Sequence, residues 1–156
     1  MEYKYSPKTK DELITAIKEE IDHQGDNADL NCIDTSAITD MSNLFGLRYG
    51  LLDFKGDVSK WNVENVTKMD GMFFENQVFN GDISQWNVSN VTTMSGMFEK
   101  SEFNGDVSKW DVRRVSDMSM MFQCCSNLEE IYKKYPSLNQ LKDSKELSKT
   151  VVLSRI

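Results

Sequence analysis

The sequence predicts an α/β repeat fold, a short solenoid of about four strand–helix coils of about 24–28 residues, with a helical cap at each end. Two series of aromatic residues support this prediction. The tryptophans Trp61, Trp86 and Trp110 lie 25 and then 24 residues apart. Phenylalanines keep the same two spacings, at Phe73, Phe98 and Phe122. Self-similarity at a period of about 20–29 residues is typical of stacked coils, which bury one apolar face against the next coil.

The clearest copy of the repeat spans 80–103 and reads NGDISQWNVSNVTTMSGMFEKSEF. Trp86 and Val88 alternate with polar residues, which predicts a short, half-buried strand. The Asn-Gly-Asp sequence that opens the copy is turn chemistry, because glycine tolerates positive φ and aspartate bonds nearby backbone. Each unit is therefore expected to begin with a turn and a strand.

The second half of the unit predicts a short helix. Met94, Met97 and Phe98 recur at i, i+3 and i+4, which places them on one face of a helix. Thr92 stands where an N-cap would accept an unpaired amide donor. The methionines are therefore expected in the core rather than as soft metal ligands.

An N-terminal helical cap is expected within residues 1–29. Thr9 and Glu12 form a capping box, an amphipathic apolar stripe follows, and Gly25 ends the helix, which predicts a helix from Thr9 to His23. Such a helix would cover the open first coil of the repeat region, 30–122. The single histidine, His23, suits the helix dipole at that end.

The first copy is degenerate and is followed by a longer linker. The insertion lies within 46–53 and carries Arg48, Tyr49 and Leu51, which are expected to be exposed. Insertions in repeats map to surface loops and often to the binding face. Arginine and tyrosine are also typical interface anchors. A partner-contact role and a plain loop packed on the core both remain open.

Residues 123–156 predict a C-terminal helical cap and tail. Ser126 and Glu129 form a second capping box, and the helix is expected to end before Pro136. The β-rich segment 150–156 would either pair with the edge of the stack or remain a sticky edge that favours a dimer. A monomer or a weak homodimer is therefore expected, and the whole chain is expected to be one folding unit.

The repeat closely resembles the 26-residue repeat of bacterial surface proteins, the BspA-like proteins grouped with the leucine-rich repeats. The resemblance covers about 30–122 and rests on Trp, Val, Val, Met and Met-Phe, which recur in register three times. The resemblance implies a right-handed, leucine-rich-repeat-like solenoid that serves protein–protein contact, often on bacterial surfaces. Members share no catalytic residues, so the resemblance implies no active site.

Composition narrows the classes of partner. Net charge is −7, with an acidic body at 1–122 and a slightly basic tail, which argues against direct binding of nucleic acid. No apolar run is long enough for a membrane span or a signal peptide, so a cytoplasmic location is expected, with the cell surface as the alternative if a signal was removed. The odd count of cysteines, Cys32, Cys124 and Cys125, fits a reducing compartment.

No pattern in the chain predicts an enzyme, a cofactor or a metal centre. The chain has no zinc spacing, phosphate-binding loop or nucleophile paired with a base. Asp57, Asp82 and Asp106 recur at the repeat period, so a stack would align them in a column. Such a column either holds Ca²⁺ or, as we expect, consists of aspartates that cap the backbone of the turns.

The expected function is a non-enzymatic scaffold for protein–protein interaction. Polar positions beside Trp and Val form three columns across the copies, and these columns vary while the apolar positions stay fixed. They are Lys60, Gln85 and Lys109; Asn62, Asn87 and Asp111; and Glu64, Ser89 and Arg113. Solenoids bind partners on such faces. The alternative is an acidic inhibitor that mimics nucleic acid and occupies a basic cleft of its target.

Overall fold

The computed structural model of the protein describes residues 2–125 and residue 133. This part of the chain contains one α-helix, α1 (Lys10–Gln24), and two 3-10 helices, Leu30–Cys32 and Leu47–Tyr49. Lys133 is helical, and the other described residues form turns and irregular backbone, joined by isolated parallel β-bridges, with no strand or sheet among them. The expected leucine-rich-repeat-like solenoid of strand–helix coils is therefore wrong.

Consecutive turns replace the expected strand. In the copy that spans 80–103, the N–H of Trp86 donates to the carbonyl of Ile83 at 3.2 Å, and the N–H of Val91 donates to that of Val88 at 2.9 Å. The carboxylate of Asp82 accepts the N–H of Ser84 at 2.9 Å. Side chains that bond their own backbone two residues on favour turns over a ladder. The apolar residues of the alternating pattern therefore lie at the ends of turns and not along a strand.

Turns also replace the expected short helix. The N–H of Met97 donates to the carbonyl of Met94 at 3.2 Å, and the N–H of Glu99 donates to that of Gly96 at 3.0 Å. Gly96 lies between them with φ of 60°, in the left-handed region that interrupts a right-handed helix. The hydroxyl of Thr92, expected to cap the helix, instead donates to the carbonyl of Thr67 at 3.0 Å.

The copies lie side by side, joined by backbone hydrogen bonds. We name them copy 1 (30–54), copy 2 (55–79), copy 3 (80–103) and copy 4 (104–125). Between any two neighbours, one parallel bridge is followed by N–H groups on alternate residues that all donate in the same direction. From copy 2 to copy 3 these donors are Met69, Gly71, Phe73 and Glu75, with N···O distances of 2.8–3.0 Å. The backbone therefore aligns each residue with its counterpart in the next copy.

Aromatic columns form the core. The rings of Trp61 and Trp86 lie 6.5 Å apart at 4°, and those of Trp86 and Trp110 lie 6.4 Å apart at 3°. A second column stacks at centroid separations of 5.3–5.6 Å and comprises Phe45, Phe73, Phe98 and Phe122. A third column, Phe54, Phe79 and Phe103, packs against the second. The stacked indole rings that the spacing predicts are confirmed.

Each indole also bonds to the preceding copy. The Nε1–H of Trp61 donates to the carbonyl of Leu30 at 2.9 Å, and that of Trp86 donates to the carbonyl of Val58 at 3.1 Å. Trp110 repeats the contact with Ile83 at 3.1 Å. A buried indole N–H needs an acceptor, and here the acceptor fixes the register between copies.

Helix α1 covers copy 1, as the sequence predicts. The hydroxyl of Thr9 accepts the N–H of Glu12 at 3.2 Å, and Gly25 ends the helix with φ of 78°. Leu13 and Ile17 are fully buried in the same core as the aromatic columns. The C-terminal cap and tail expected at 123–156 fall almost entirely outside the described residues.

Replacing Trp86 with alanine is expected to lower the free energy of unfolding by about 3–5 kcal/mol, because the change empties a core site between two stacked indoles. The lost indole N–H bond to Val58 adds to this cost. Urea denaturation measures the effect. The neighbouring exposed residue provides the control, since Gln85→Ala should change stability by less than about 0.5 kcal/mol. Equal losses at both positions would contradict the packing.

Replacing Met120 with glycine is expected to raise the free energy of unfolding by about 0.5–1 kcal/mol. Met120 is 56% exposed and has φ of 58°, whereas its counterparts Gly71 and Gly96 hold this conformation as glycines. A left-handed L-residue costs about 1–2 kcal/mol, which exceeds the added entropy of a glycine in the unfolded chain. Urea denaturation measures this change also.

Gln123 supplies the control for the Met120 variant, because it is exposed and its φ is not positive. Gln123→Gly should lower the free energy of unfolding by up to about 1 kcal/mol through backbone entropy alone. A loss of stability in both glycine variants would contradict strain at Met120.

Candidate interaction surface

The three predicted polar columns lie on two consecutive turns of copies 2, 3 and 4. We call this surface the polar turn face, and its nine residues are Lys60, Asn62, Glu64, Gln85, Asn87, Ser89, Lys109, Asp111 and Arg113. The first of the two turns closes with a bond from the tryptophan N–H to the residue three before it. The second turn closes in the same way at Val66, Val91 and Val115. Repetition of the two turns places the nine residues at equivalent positions of three adjacent copies, in turns and not in strands.

The first column is exposed in all three copies. Lys60, Gln85 and Lys109 each precede a buried tryptophan. The ammonium groups of Lys60 and Lys109 form no hydrogen bond or ion pair within the described part of the chain, and the Gln85 amide bonds only the hydroxyl of Ser84 at 3.0 Å. These three side chains are therefore available to a partner.

The second column shapes the turns. Asn62 accepts the N–H of Glu64 at 3.1 Å, and Asn87 accepts both the N–H and the hydroxyl of Ser89, at 3.3 and 2.8 Å. Asp111 likewise accepts the N–H of Arg113 at 3.2 Å. Because these side-chain oxygens accept hydrogen bonds from the backbone, the second column stabilises the turns and has fewer free acceptors for a ligand.

Copy 4 makes one end of the polar turn face basic. The guanidinium of Arg113 donates to both carboxylate oxygens of Asp111, at 2.8 and 2.6 Å. The side-chain and backbone bonds from Arg113 lower the pKa of Asp111 to about 2. Arg114 lies beside this pair, and its Nη1 donates to the side-chain oxygen of Asn90 at 2.8 Å. Residues 109–114 of copy 4 therefore carry three cations, Lys109, Arg113 and Arg114, and one carboxylate, Asp111.

Sequence reasoning missed Arg114. Its counterparts Asn65 and Asn90 donate to carbonyls of the preceding copy, from Asn65 to Ser36 at 2.9 Å and from Asn90 to Glu64 at 2.8 Å. The replacement of a bridging asparagine by arginine in copy 4 was the available signal. At this position, copies 2 and 3 have an asparagine that bonds the backbone of the preceding copy, whereas copy 4 has an exposed cation.

The 46–53 loop differs from the prediction in two of its three named residues. Arg48 is exposed, with its guanidinium 5.7 Å from the centroid of the Tyr49 ring, and Tyr49 is half-buried. Leu51, expected to be exposed, is only 7% exposed because it packs into the hydrophobic core. Leu47 is instead 60% exposed, so the apolar contact of this loop lies four residues earlier than predicted.

The aspartate column caps turns, as we expected. Asp57, Asp82 and Asp106 accept the N–H groups of Ser59, Ser84 and Ser108 at 2.8–2.9 Å. These backbone bonds, with those from the serine hydroxyls, hold the pKa of Asp82 below its ordinary value. Within 2–125 and at residue 133, no group of three or more His, Cys, Asp or Glu side chains is placed to hold a metal ion.

A shallow groove lies between the N-terminal arm and α1. Its volume is about 540 Å³, and its lining includes Lys4, Tyr5 and Glu19. Glu20 is buried beneath the arm, where it accepts bonds from Lys4, Tyr5 and Gln24, and the contact with Lys4 lowers its pKa. This carboxylate ties the arm to the helix.

Arg113→Ala is expected to raise the pKa of Asp111 from about 2 towards its ordinary value of 3.8. Because the folded pKa is depressed, the stabilisation by this pair is complete above the ordinary value and is lost as the pH falls towards 2. NMR titration of the Asp111 carboxyl carbon measures the midpoint. Arg114→Ala is the control, because Arg114 acts on Asp111 only weakly through its charge. Equal shifts in both variants would contradict the pairing with Arg113.

Comparison with known proteins identifies one family. Its model, described as Mycoplasma protein of unknown function, DUF285, matches residues 15–140. Neither the curated proteins nor the solved structures gave a match. Among the described residues, no helix combines the length and the apolar character that crossing a membrane requires. Since the matched segment includes α1 from Thr15 onwards, all four copies and most of the chain, the protein belongs to the DUF285 family of Mycoplasma proteins of unknown function.

Proposed function

We propose that the protein is a non-enzymatic scaffold that binds another protein through the polar turn face. One observation carries the proposal: Lys60, Gln85 and Lys109 are exposed on equivalent turns of three adjacent copies, directly beside the stacked tryptophans. The tryptophans beneath them form the core, so the residue types at these three positions differ between copies without changing the packing of the core. The resemblance to BspA-like repeats supports a role in protein contact.

The polar turn face is preorganised. Each of its turns is closed by a backbone bond, and the second column adds a side-chain bond to the backbone. Beneath it, Trp61, Trp86 and Trp110 are 2–4% exposed and stacked nearly parallel. A surface that is ordered before binding loses little conformational entropy in the complex, which favours affinity from a small number of contacts.

The charges of this face define the partner. The face carries three exposed cations and two carboxylates, and Arg114 adds a further exposed cation beside it. The cations are Lys60, Lys109 and Arg113, and the carboxylates are Glu64 and Asp111. The cations favour a partner with a carboxylate-rich or strongly polar contact surface, and the association should weaken as salt rises. Leu47 and Arg48 offer a second contact at the 46–53 loop, with an apolar and a cationic side chain side by side.

The positions of the acidic residues do not favour the alternative, an inhibitor that mimics nucleic acid. Such a mimic needs its carboxylates in one row with phosphate-like spacing. Here the column of Asp57, Asp82 and Asp106 caps turns, whereas Asp70, at a different position of copy 2, accepts the N–H of Ser95 at 3.0 Å. Further carboxylates lie on α1. The acidic charge is spread over several elements.

A triple variant, Lys60→Glu, Gln85→Glu and Lys109→Glu, is expected to weaken binding of the partner by at least about tenfold, because it reverses the charge of the first column. The partner is captured from cells of the source organism with the wild-type protein and is identified by mass spectrometry. Its affinity for the purified wild type and variant is then measured by calorimetry at two salt concentrations.

The matched control makes the same three types of change on other surfaces, as Lys18→Glu, Lys55→Glu and Gln77→Glu. All three residues are exposed, and the total charge change is identical. Binding by this control should equal that of the wild type. Unchanged affinity in the first variant, or equal loss in both, would remove the polar turn face from the proposal.

A further inference from the structure

The groove between the N-terminal arm, residues 2–8, and α1 has an apolar base. Its volume is about 540 Å³, and the buried residues Pro7 and Ala16 line it. The arm is fixed at two points, because Tyr5 forms a parallel bridge to copy 1 and its hydroxyl donates to the buried carboxylate of Glu20 at 3.0 Å. The groove is therefore formed before any ligand binds, which lowers the entropic cost of binding.

One residue of the arm, Ser6, offers free backbone groups beside this groove. The N–H of Tyr5 donates to the carbonyl of Cys32 at 3.4 Å, and its carbonyl accepts the N–H of Asp34 at 2.8 Å. Because backbone groups of successive residues in an extended chain point in opposite directions, those of Ser6 point away from copy 1. Ser6 lines the groove, and its N–H and C=O have no hydrogen-bond partner among the described residues. An extended segment in the groove can therefore pair with the arm.

The wall of the groove on α1 is acidic. Asp11, Thr15 and Glu19 are exposed, line the groove and lie four residues apart along the helix. The carboxylates of Asp11 and Glu19 form no ion pair within the described part of the chain. Eight residues of helix rise about 12 Å, whereas residues i and i+4 of an extended chain face the same side and lie about 13 Å apart. The two carboxylates are therefore spaced for two cations four residues apart.

We infer that this groove binds an extended segment of a partner protein with two arginines or lysines four residues apart and a small apolar residue midway between them. The cations contact Asp11 and Glu19, the small residue packs over Ala16, and the backbone of the segment pairs with Ser6. Charge complementarity selects the partner, because acidic residues at the same two places would be repelled by both carboxylates. The groove shares no residue with the polar turn face, so this contact is additional to the proposed function and does not rest on it.

Peptide binding followed by NMR of the full-length protein tests this inference. The probe has blocked ends and the sequence Ser-Arg-Ser-Ala-Ser-Arg-Ser. The control peptide, Ser-Ser-Ser-Arg-Arg-Ala-Ser, has the same composition, but its adjacent arginines point to opposite sides of an extended chain. The probe should shift the amide signals of Ser6, Thr15 and Ala16. Its dissociation constant should be at least about fivefold lower than that of the control peptide, since each exposed ion pair contributes little.

A double variant with neutral side chains of similar shape, Asp11→Asn and Glu19→Gln, should weaken binding of the probe by at least about fivefold, because both arginines lose their partners. The matched control, Asp22→Asn and Asp26→Asn, removes two exposed carboxylates on and just after α1 with the same change in net charge, and it should bind as the wild type does. Equal affinity for both peptides, or an equal loss in both variants, would overturn the inference in favour of non-specific attraction.

The occupancy of the groove in the protein alone is a further test. If the variant Asp11→Asn and Glu19→Gln shifts the signals of residues 126–156 in the absence of peptide, that segment already occupies the groove, and the inference of a separate partner is overturned. Unchanged signals there, with binding of the probe, support it. The polar turn face is intact in every variant, so none of these results bears on the proposed function.

Discussion

The stacking of like rings between neighbouring copies is the interaction on which the structure depends. The tryptophans stack within 4° of parallel, and each indole N–H reaches a carbonyl of the copy before it. Aromatic pairs contribute about 0.5–1.5 kcal/mol beyond their buried area, and the hydrogen bond adds direction to that attraction. Ring stacking alone would allow neighbouring copies to slide, but the indole bond allows only one register.

This register determines the character of the surface. Once every tryptophan has a defined position, the turn before it is also placed, and the side chains at 60, 85 and 109 emerge at equivalent points. The backbone bonds between copies all run in one direction through 69–75 and 94–100, so the stack has a polarity. One end is covered by α1. The same constraint therefore places the variable residues at equivalent points along one side surface.

Periodicity predicted much of this structure. The spacing of the tryptophans predicted their stacking, and Thr9 and Gly25 predicted the ends of α1 to within a residue. The Asn-Gly-Asp turns and the periodic aspartates predicted aspartates that cap turns. The periodicity predicted the wrong secondary structure. A four-residue turn with an apolar residue at each end gives the i, i+3 spacing of a helix, and two such turns in succession place apolar residues on alternate positions, as in a strand. The side-chain bonds of Asp82 and Asn87 to the backbone, and the left-handed Gly96, favour turns over both.

The candidate surface was also predicted only in part. The exposure of Lys60, Gln85 and Lys109 followed from their place beside buried tryptophans. The burial of Leu51 and the exposure of Leu47 did not, because the loop between copies 1 and 2 has no counterpart from which its orientation could be inferred. Comparison of the copies could have identified Arg114, because it stands where copies 2 and 3 have asparagine.

By itself, the sequence determined the number of copies, the residues that face the core and the helix that covers the first copy, because these depend on local spacing and on which side chains avoid water. Only the tertiary structure showed that the periodic apolar residues lie in turns and not in strands and helices. It also decided that backbone hydrogen bonds join neighbouring copies. Both depend on where each backbone N–H finds an acceptor, three residues earlier within the turns and a full copy away between the copies.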